Sequence, residues 1–242
     1  RQAATSLTFE VTAGDMLPRT GELPVTVYPR RAAPYRSAEP ALDGRLYEWP
    51  DDAFAAARVG PADTRVWLAW NADRLFLAAD VRTGTPPLPP VSVENFWGRD
   101  GMELFLDLGN QKSEQYDEDD VQVFLCPLGV DGGKAFGGVV VRRRRGDTVD
   151  IVDIVSEPSV RVAAEAHDAG YRLEAAVPWS VASPDARMEP GRRIGLHLAL
   201  THWNASTRER VSASLLGLKK KYHANPDQWP AAILESTAER VN

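Results

Sequence analysis

Cysteine is nearly absent. Cys126 stands alone in 242 residues, so no disulfide forms within the chain, and a disulfide-stapled scaffold or a cysteine-based zinc site is excluded. Long apolar runs are missing as well. None approaches the ~20 residues that span a bilayer as a helix, so membrane insertion is not expected. Positive charge is in the minority, with 28 Lys and Arg against 34 Asp and Glu and a net charge of −6. That balance gives no general attraction to nucleic acid or to an anionic membrane surface. The four histidines are scattered and no G-x-S-x-G is present, so a nucleophilic triad has no support. The chain starts at Arg1 rather than at a methionine, and its beginning does not report a compartment.

What is present is a chain rich in short strands. Hydrophobic residues make up 43%, enough for a sizeable core. "TRVWLAWN" (64–71) and "RLFLAADV" (74–81) alternate around the tight turn "NAD", and "SVRVAAEAH" (159–167) meets "YRLEAAVPW" (171–179) across "DAG". Further strands are predicted at 101–108, 121–128, 134–145, 193–203 and 209–216. "DDAFAAARV" (51–59) is the best candidate for a short helix. Many short strands separated by turn residues predict an all-β, antiparallel, jelly-roll-like β-sandwich with one or two short helices.

Ahead of this domain, residues 1–28 read as a β-hairpin, either the remnant of an Ig-like domain or a pair added to the main sheet. Residues 29–40, rich in proline and charge, read as a linker, which starts the sandwich at 41 and carries it to 242. Cys126, in "VQVFLCPL", is expected to be a buried hydrophobe, and "RRRR" (142–145) a solvated turn or charged edge strand.

The stretch "NFWGRDGMELFLD" (95–107) raises the question of function. Met102, Leu104 and Leu106 share one face of a strand; Glu103, Phe105 and Asp107 share the other. An aromatic between two carboxylates, with Trp97 just upstream, is either a solvated face or the floor of a binding site. Five acids in "EQYDEDD" (114–120) lack the order of an EF-hand loop but offer oxygen ligands to a cation. Glu103 and Glu174 are a conceivable glycosidase pair, and Arg99 a conceivable partner for Glu103. His197 and His202, five apart on one strand, point to opposite faces and make no metal pair.

The order of seven segments adds to this: "ALDGRLYEWPDDA", "VWLAWNADRLFLAADV", "FWGRDGMELFLD", "YDEDDVQVF", "GYRLEAAVPWS", "GRRIGLHLAL" and "NPDQWPAAILE". Over residues 41–235 the series resembles the family 9 carbohydrate-binding modules and related extracellular sandwich domains. The resemblance implies a non-catalytic accessory domain that binds glycan chain ends, or polysaccharide, in a secreted or surface multidomain protein. Its partners would be carbohydrate and other domains of the same polypeptide. Its place would be extracellular, at the cell surface or in the periplasm, and structural Ca2+ is often held. It gives Trp97 the role of a stacking tryptophan and Glu103 that of the strand glutamate, with Gln122 kept beside them. Where the family has a second tryptophan, this chain has His223, next to Tyr222, and Trp229 falls on a position usually held by a packing phenylalanine. An arginine position becomes Phe124 and an asparagine position Cys126. The expected ligand set is therefore Trp97, Glu103, Gln122, Tyr222, His223 and Trp229. The expected calcium set is Asp117, Glu118, Asp119 and Asp120, with Asp43 and Asp107 as further partners. The alternatives are a structural or interaction domain without a small ligand, and a glycan-active enzyme.

Overall fold

The computed structural model describes residues 3–11, 19–27, 31–59, 62–145, 148–204, 207–218 and 223–236. The chain divides into two compact units, Arg1–Arg31 and Ala32–Asn242. The first contains an antiparallel pair, β1 (Ala3–Val11) and β2 (Arg19–Val27), in register from Ala3 opposite Val27 to Val11 opposite Arg19. Gly14, Asp15 and Pro18, read as its turn, lie outside the described residues.

The remaining strands are β3 (Arg31–Pro34), β4 (Ala55–Val59), β5 (Ala62–Trp70), β6 (Arg74–Arg82), β7 (Gly101–Asp107) and β8 (Asp120–Cys126). They continue with β9 (Phe136–Arg145), β10 (Thr148–Ser156), β11 (Arg161–His167), β12 (Gly170–Pro178), β13 (Arg193–Asn204), β14 (Glu209–Ser214) and β15 (Ala231–Glu235). An eight-stranded sheet runs β10-β9-β8-β7-β13-β15-β3, with β14 also paired to β13, and a five-stranded sheet runs β11-β12-β6-β5-β4. The two form the expected β-sandwich, and among the described residues helix is confined to short 3-10 turns at Val93–Gly98, Trp179–Val181 and Pro226–Gln228. No helix among the described residues is long and apolar enough to cross a membrane.

Side-chain alternation decides what lies between the sheets. Leu104 and Leu106 of β7, Val123 and Leu125 of β8, and Leu75 and Leu77 of β6 belong to one buried cluster. Tyr171, Leu173, Ala175, Val177 and Trp179 share that core, all at 0% exposure, as their period of two predicts. Both predicted hairpins form. In the first, Asn71 Oδ1 accepts from the amides of Asp73 (3.0 Å) and Arg74 (2.8 Å), a turn held by its own side chain. In the second, Gly170 has φ +145°, and a Cβ there would stand 2.0 Å from the Val81 carbonyl oxygen, so only glycine fits.

Two expectations are corrected. Residues 51–59 are not helical: Ala55–Val59 is β4, the edge strand beside β5. Its alanines favour helix locally, but Ala55 is buried and Ala56 exposed, a strand alternation that docking on β5 rewards more than helix propensity. Nor are residues 29–40 simply a linker. Arg31–Pro34 forms β3, Ala33 is buried, and the Tyr35 ring meets Trp70 edge-on at 5.0 Å.

The outer face of the five-stranded sheet is closed by the segment around residues 41–53. Trp49 and Trp67 are buried there with Phe76. Glu174, at 0% exposure, anchors the cover: it accepts from Trp49 Nε1 (2.8 Å) and from the amides of Asp43 (3.1 Å) and Gly44 (2.9 Å). Burial raises its carboxyl above the usual range, and those three bonds oppose the rise.

Candidate functional site

The outer face of the eight-stranded sheet answers the question posed by "NFWGRDGMELFLD". Glu103, Phe105 and Asp107 do share it, but none is solvated: they are 8%, 0% and 1% exposed. Register decides their neighbours. Glu103 lies opposite Phe124 and Ala199, Phe105 opposite Gln122 and His197, and Asp107 opposite Asp120. Two apolar clusters occupy this face. One contains Phe96, Phe124, Cys126 and Val140, with Trp97 packed against it; the other contains Phe105, Tyr116, Ala199 and Trp229. Glu103 and Gln122 form a polar row alongside them.

A cleft of about 250 Å³ opens over that row. Trp97, Glu103, Gln122 and His223 line it together with Arg142, Arg210 and Ile151. The half-buried Trp97 rides on a stack of rings: it meets Phe96 edge-on at 4.9 Å, and Phe96 lies flat on Phe124 at 4.2 Å. Gly138 of β9 makes room for this, because a Cβ there would fall 2.3 Å from the Phe124 ring. Phe124, where the family has an arginine, thus supports the aromatic platform.

The polar groups form a relay. Arg142 Nη2 donates to Gln122 Oε1, and Gln122 Nε2 donates to Glu103 Oε2 at 2.5 Å. Arg142 also lies 4.0 Å from the Tyr116 ring centroid, and both its Nη2 (3.3 Å) and the Tyr116 hydroxyl (3.0 Å) donate to the His223 carbonyl. Burial raises the Glu103 carboxyl, while the Gln122 bond and the charges of Arg210 and Arg142 pull it back. Burial and Arg142 both lower the His223 imidazole, so the neutral ring is favoured. Cys126 is fully buried behind this face, with its thiol pushed up to about 12 by burial and by Glu103. It is a buried side chain in an apolar strand, as expected.

Four of the six expected ligand residues therefore line one cleft. Tyr222 lies outside the described residues. Trp229 does not line it: its ring is 1% exposed and packs against Phe105 and Tyr116, a packing position like the phenylalanine it replaces. Arg99 is not the partner of Glu103 but lies over the Trp203 ring at 4.4 Å. The arginine that matters was hidden in "RRRR". Val140 opposes Gln122, so Val140 and Arg142, two apart on β9, share its face.

A second cavity, of about 770 Å³, adjoins the first through Val140 and Arg142 and is lined by Asp117, Glu118, Asp119 and Asp120. The carboxylates that converge are those of Asp107, Asp119 and Asp120, each offering an atom within 4.8 Å of the others. Asp107 Oδ1 and Asp120 Oδ1 are buried with no hydrogen-bond partner among the described residues. Burial, together with Asp117, Asp107 and Asp119, pushes the Asp120 carboxyl up to about 7. The expected set is corrected in part. Asp117 turns to Ser113 Oγ (2.7 Å), Glu118 is exposed, and Asp43 sits in the cover of the other sheet.

The enzyme alternative loses its geometry. Glu103 and Glu174 lie on the outer faces of opposite sheets, with the whole core between them, whereas a glycosidic bond needs two carboxyls roughly 5–10 Å apart around it. His197 lies beside Phe105 at 5.5 Å, and His202 Nδ1 pairs with buried Asp100 at 2.6 Å, so the two histidines do serve different faces.

Comparison with known proteins gives the chain a family and a fold. Residues 48–237 match the family described as "Carbohydrate family 9 binding domain-like". A family 9 carbohydrate-binding module from Caldicellulosiruptor kristjanssonii, solved with cellotriose, is 17% identical, with a TM-score of 0.62 over 88% of this chain and 97% of that one. The same organism's module solved with glucose is 15% identical, with a TM-score of 0.60 over 87% and 99%. At these identities the likeness is one of fold. No curated protein matches the chain.

Proposed function

The chain belongs to the carbohydrate family 9 binding domain-like family, and from that premise we propose that it is a non-catalytic module whose cleft receives the end of a glycan. The observation that carries this reading is the meeting of Trp97, Glu103, Gln122 and His223 around one opening. Trp97 offers a flat apolar face to the C–H side of a pyranose, and Glu103 accepts from its hydroxyls. Gln122, held from behind by Arg142, keeps the Glu103 carboxylate aimed and adds its own amide. The module serves as an accessory domain of a secreted or surface protein, alongside other domains of the same polypeptide.

Trp97→Ala tests it. Stacking contributes roughly 1–3 kcal/mol, so calorimetric titration with cello-oligosaccharides should show affinity falling about ten- to a hundredfold. The melting temperature should move little, since the ring sits at the edge of its cluster. Equal affinity of the two proteins removes the platform role; no binding by the parent protein to any sugar on a glycan array favours a structural domain instead.

Asp107, Asp119 and Asp120 are the residues suited to hold calcium. Two orphaned buried oxygens and an all-carboxylate donor set fit a hard cation that takes oxygen ligands. When bound, the ion would neutralise carboxylates that burial and mutual repulsion leave strained. EDTA should then lower the melting temperature of metal-loaded protein, and calcium should restore it, because an ion that binds only the folded state stabilises it by mass action. An unchanged melting curve in protein shown beforehand to contain metal removes the ion.

A further inference from the structure

The cleft carries more positive than negative charge, on a chain whose net charge is −6. Two guanidinium groups, Arg142 and Arg210, face one carboxylate, Glu103. The two arginines are not equivalent. Arg142 is committed to Gln122, to the His223 carbonyl and to the Tyr116 ring. Both arginines also act on Glu103 by charge, Arg210 the more strongly, while Arg142 is tied to it through Gln122 as well. Arg210 stands on β14 opposite Trp203, exposed at the rim of the cleft, and its guanidinium makes no hydrogen bond among the described residues. Ser212, two residues on, lines the same opening. Two guanidinium charges against one carboxylate leave the cleft with a surplus positive charge, and Arg210, which acts on Glu103 by charge, keeps its planar donor fork free of hydrogen bonds among the described residues.

Size narrows the ligand. A volume of about 250 Å³ equals roughly eight waters at ~30 Å³ each. That suits a single sugar ring rather than a chain lying across the face. A neutral ring over this cleft would shield Arg210 from water and offer it only uncharged hydroxyl acceptors. A carboxylate would meet the fork with two charge-assisted bonds, the geometry for which guanidinium is better suited than any other side chain. Glu103, 8% exposed in the floor, repels a second carboxylate and so turns the hydroxyl edge of the ring toward itself and the acid toward the rim. Val140 and Arg142, common to both linings, stand between this cleft and the acidic cavity next door.

We propose that the preferred ligand is an anionic sugar, a pyranose bearing a carboxylate such as a uronic acid residue, seated on Trp97 with its hydroxyls toward Glu103 and its carboxylate on Arg210. This rests on the sugar-site reading given above and adds the charge of the ligand to it.

The test compares a disaccharide ending in glucuronic acid with its glucose-ended counterpart, titrated calorimetrically into the whole protein at low and high salt. At low salt the uronate should bind at least tenfold more tightly. High salt should shrink that ratio, because the pairing is exposed at the rim. Arg210→Gln should bring the ratio close to one; its exposed position makes it a safe variant to fold, which its melting curve verifies. Equal binding of the two sugars, or a preference for uronate that survives Arg210→Gln, overturns the anionic ligand and leaves the sugar site standing. Binding of neither sugar overturns both.

Discussion

Trp179→Ala is expected to lower the free energy of unfolding by roughly 3–5 kcal/mol, read as a shifted denaturation midpoint with an unchanged slope. The ring is 0% exposed and lies between the sheets at the end of β12. Its Nε1 donates to the Asn71 carbonyl at 3.0 Å, and its backbone amide donates to the Asp73 carbonyl at 3.0 Å. The side chain thus fills the core and also staples the β5–β6 turn that Asn71 organises. Truncation empties a volume the rigid sheets cannot close and orphans a carbonyl. The contrast with Trp97→Ala is diagnostic, since one change should act on stability and the other on affinity. A loss below about 1 kcal/mol would place Trp179 at a tolerant edge, outside the range for large buried residues.

Glu174→Ala should cost a similar roughly 3–5 kcal/mol. Three donors, Trp49 Nε1 and the amides of Asp43 and Gly44, lose their acceptor together. Bonds to a charged group contribute ~1.5–3 kcal/mol each, and the total falls short of their sum because the released amides turn to water. The cover then lifts from the outer face of the five-stranded sheet. Trp49 fluorescence should shift toward that of a solvated indole, and limited proteolysis should cut near residues 41–50. Glu174→Gln, which keeps one acceptor oxygen, should lose less. Full stability with an unmoved Trp49 signal would mean that apolar contacts to Trp67 and Phe76 hold the cover alone.

Strands that bury one face were legible from period alone, as Leu104, Leu106, Val123 and Leu125 illustrate. Both hairpins were legible because Asn71 and Gly170 are demanded by local geometry. Where long-range pairing decides, the sequence was silent. β4 hides among alanines until β5 supplies a neighbour. β10, "TVDIVDIVS", places acids at Asp150 and Asp153 and a bulge between Ile151 and Asp153, so its alternation breaks. At the site, Trp97, Glu103, Gln122 and His223 were found by resemblance. Arg142 was masked by three more arginines, and its role follows only from the Gln122–Val140 pairing. Convergence of Asp107 with Asp120 depends on the same kind of fact, the register of β7 on β8.

That register also separates two kinds of inheritance. Glu103 alternates with Leu104 and Gln122 with Val123: one of each pair faces the cleft, the other the core. A change of ligand-facing residue therefore leaves the folding residues where they were, and a lineage can drift from one sugar to another without passing through sequences that fail to fold. The aromatic stack is the exception. Phe96, Phe124 and Gly138 must change in concert, because any side chain at 138 strikes the ring that supports the platform. Specificity in this sandwich is free to wander; the base under Trp97 is not.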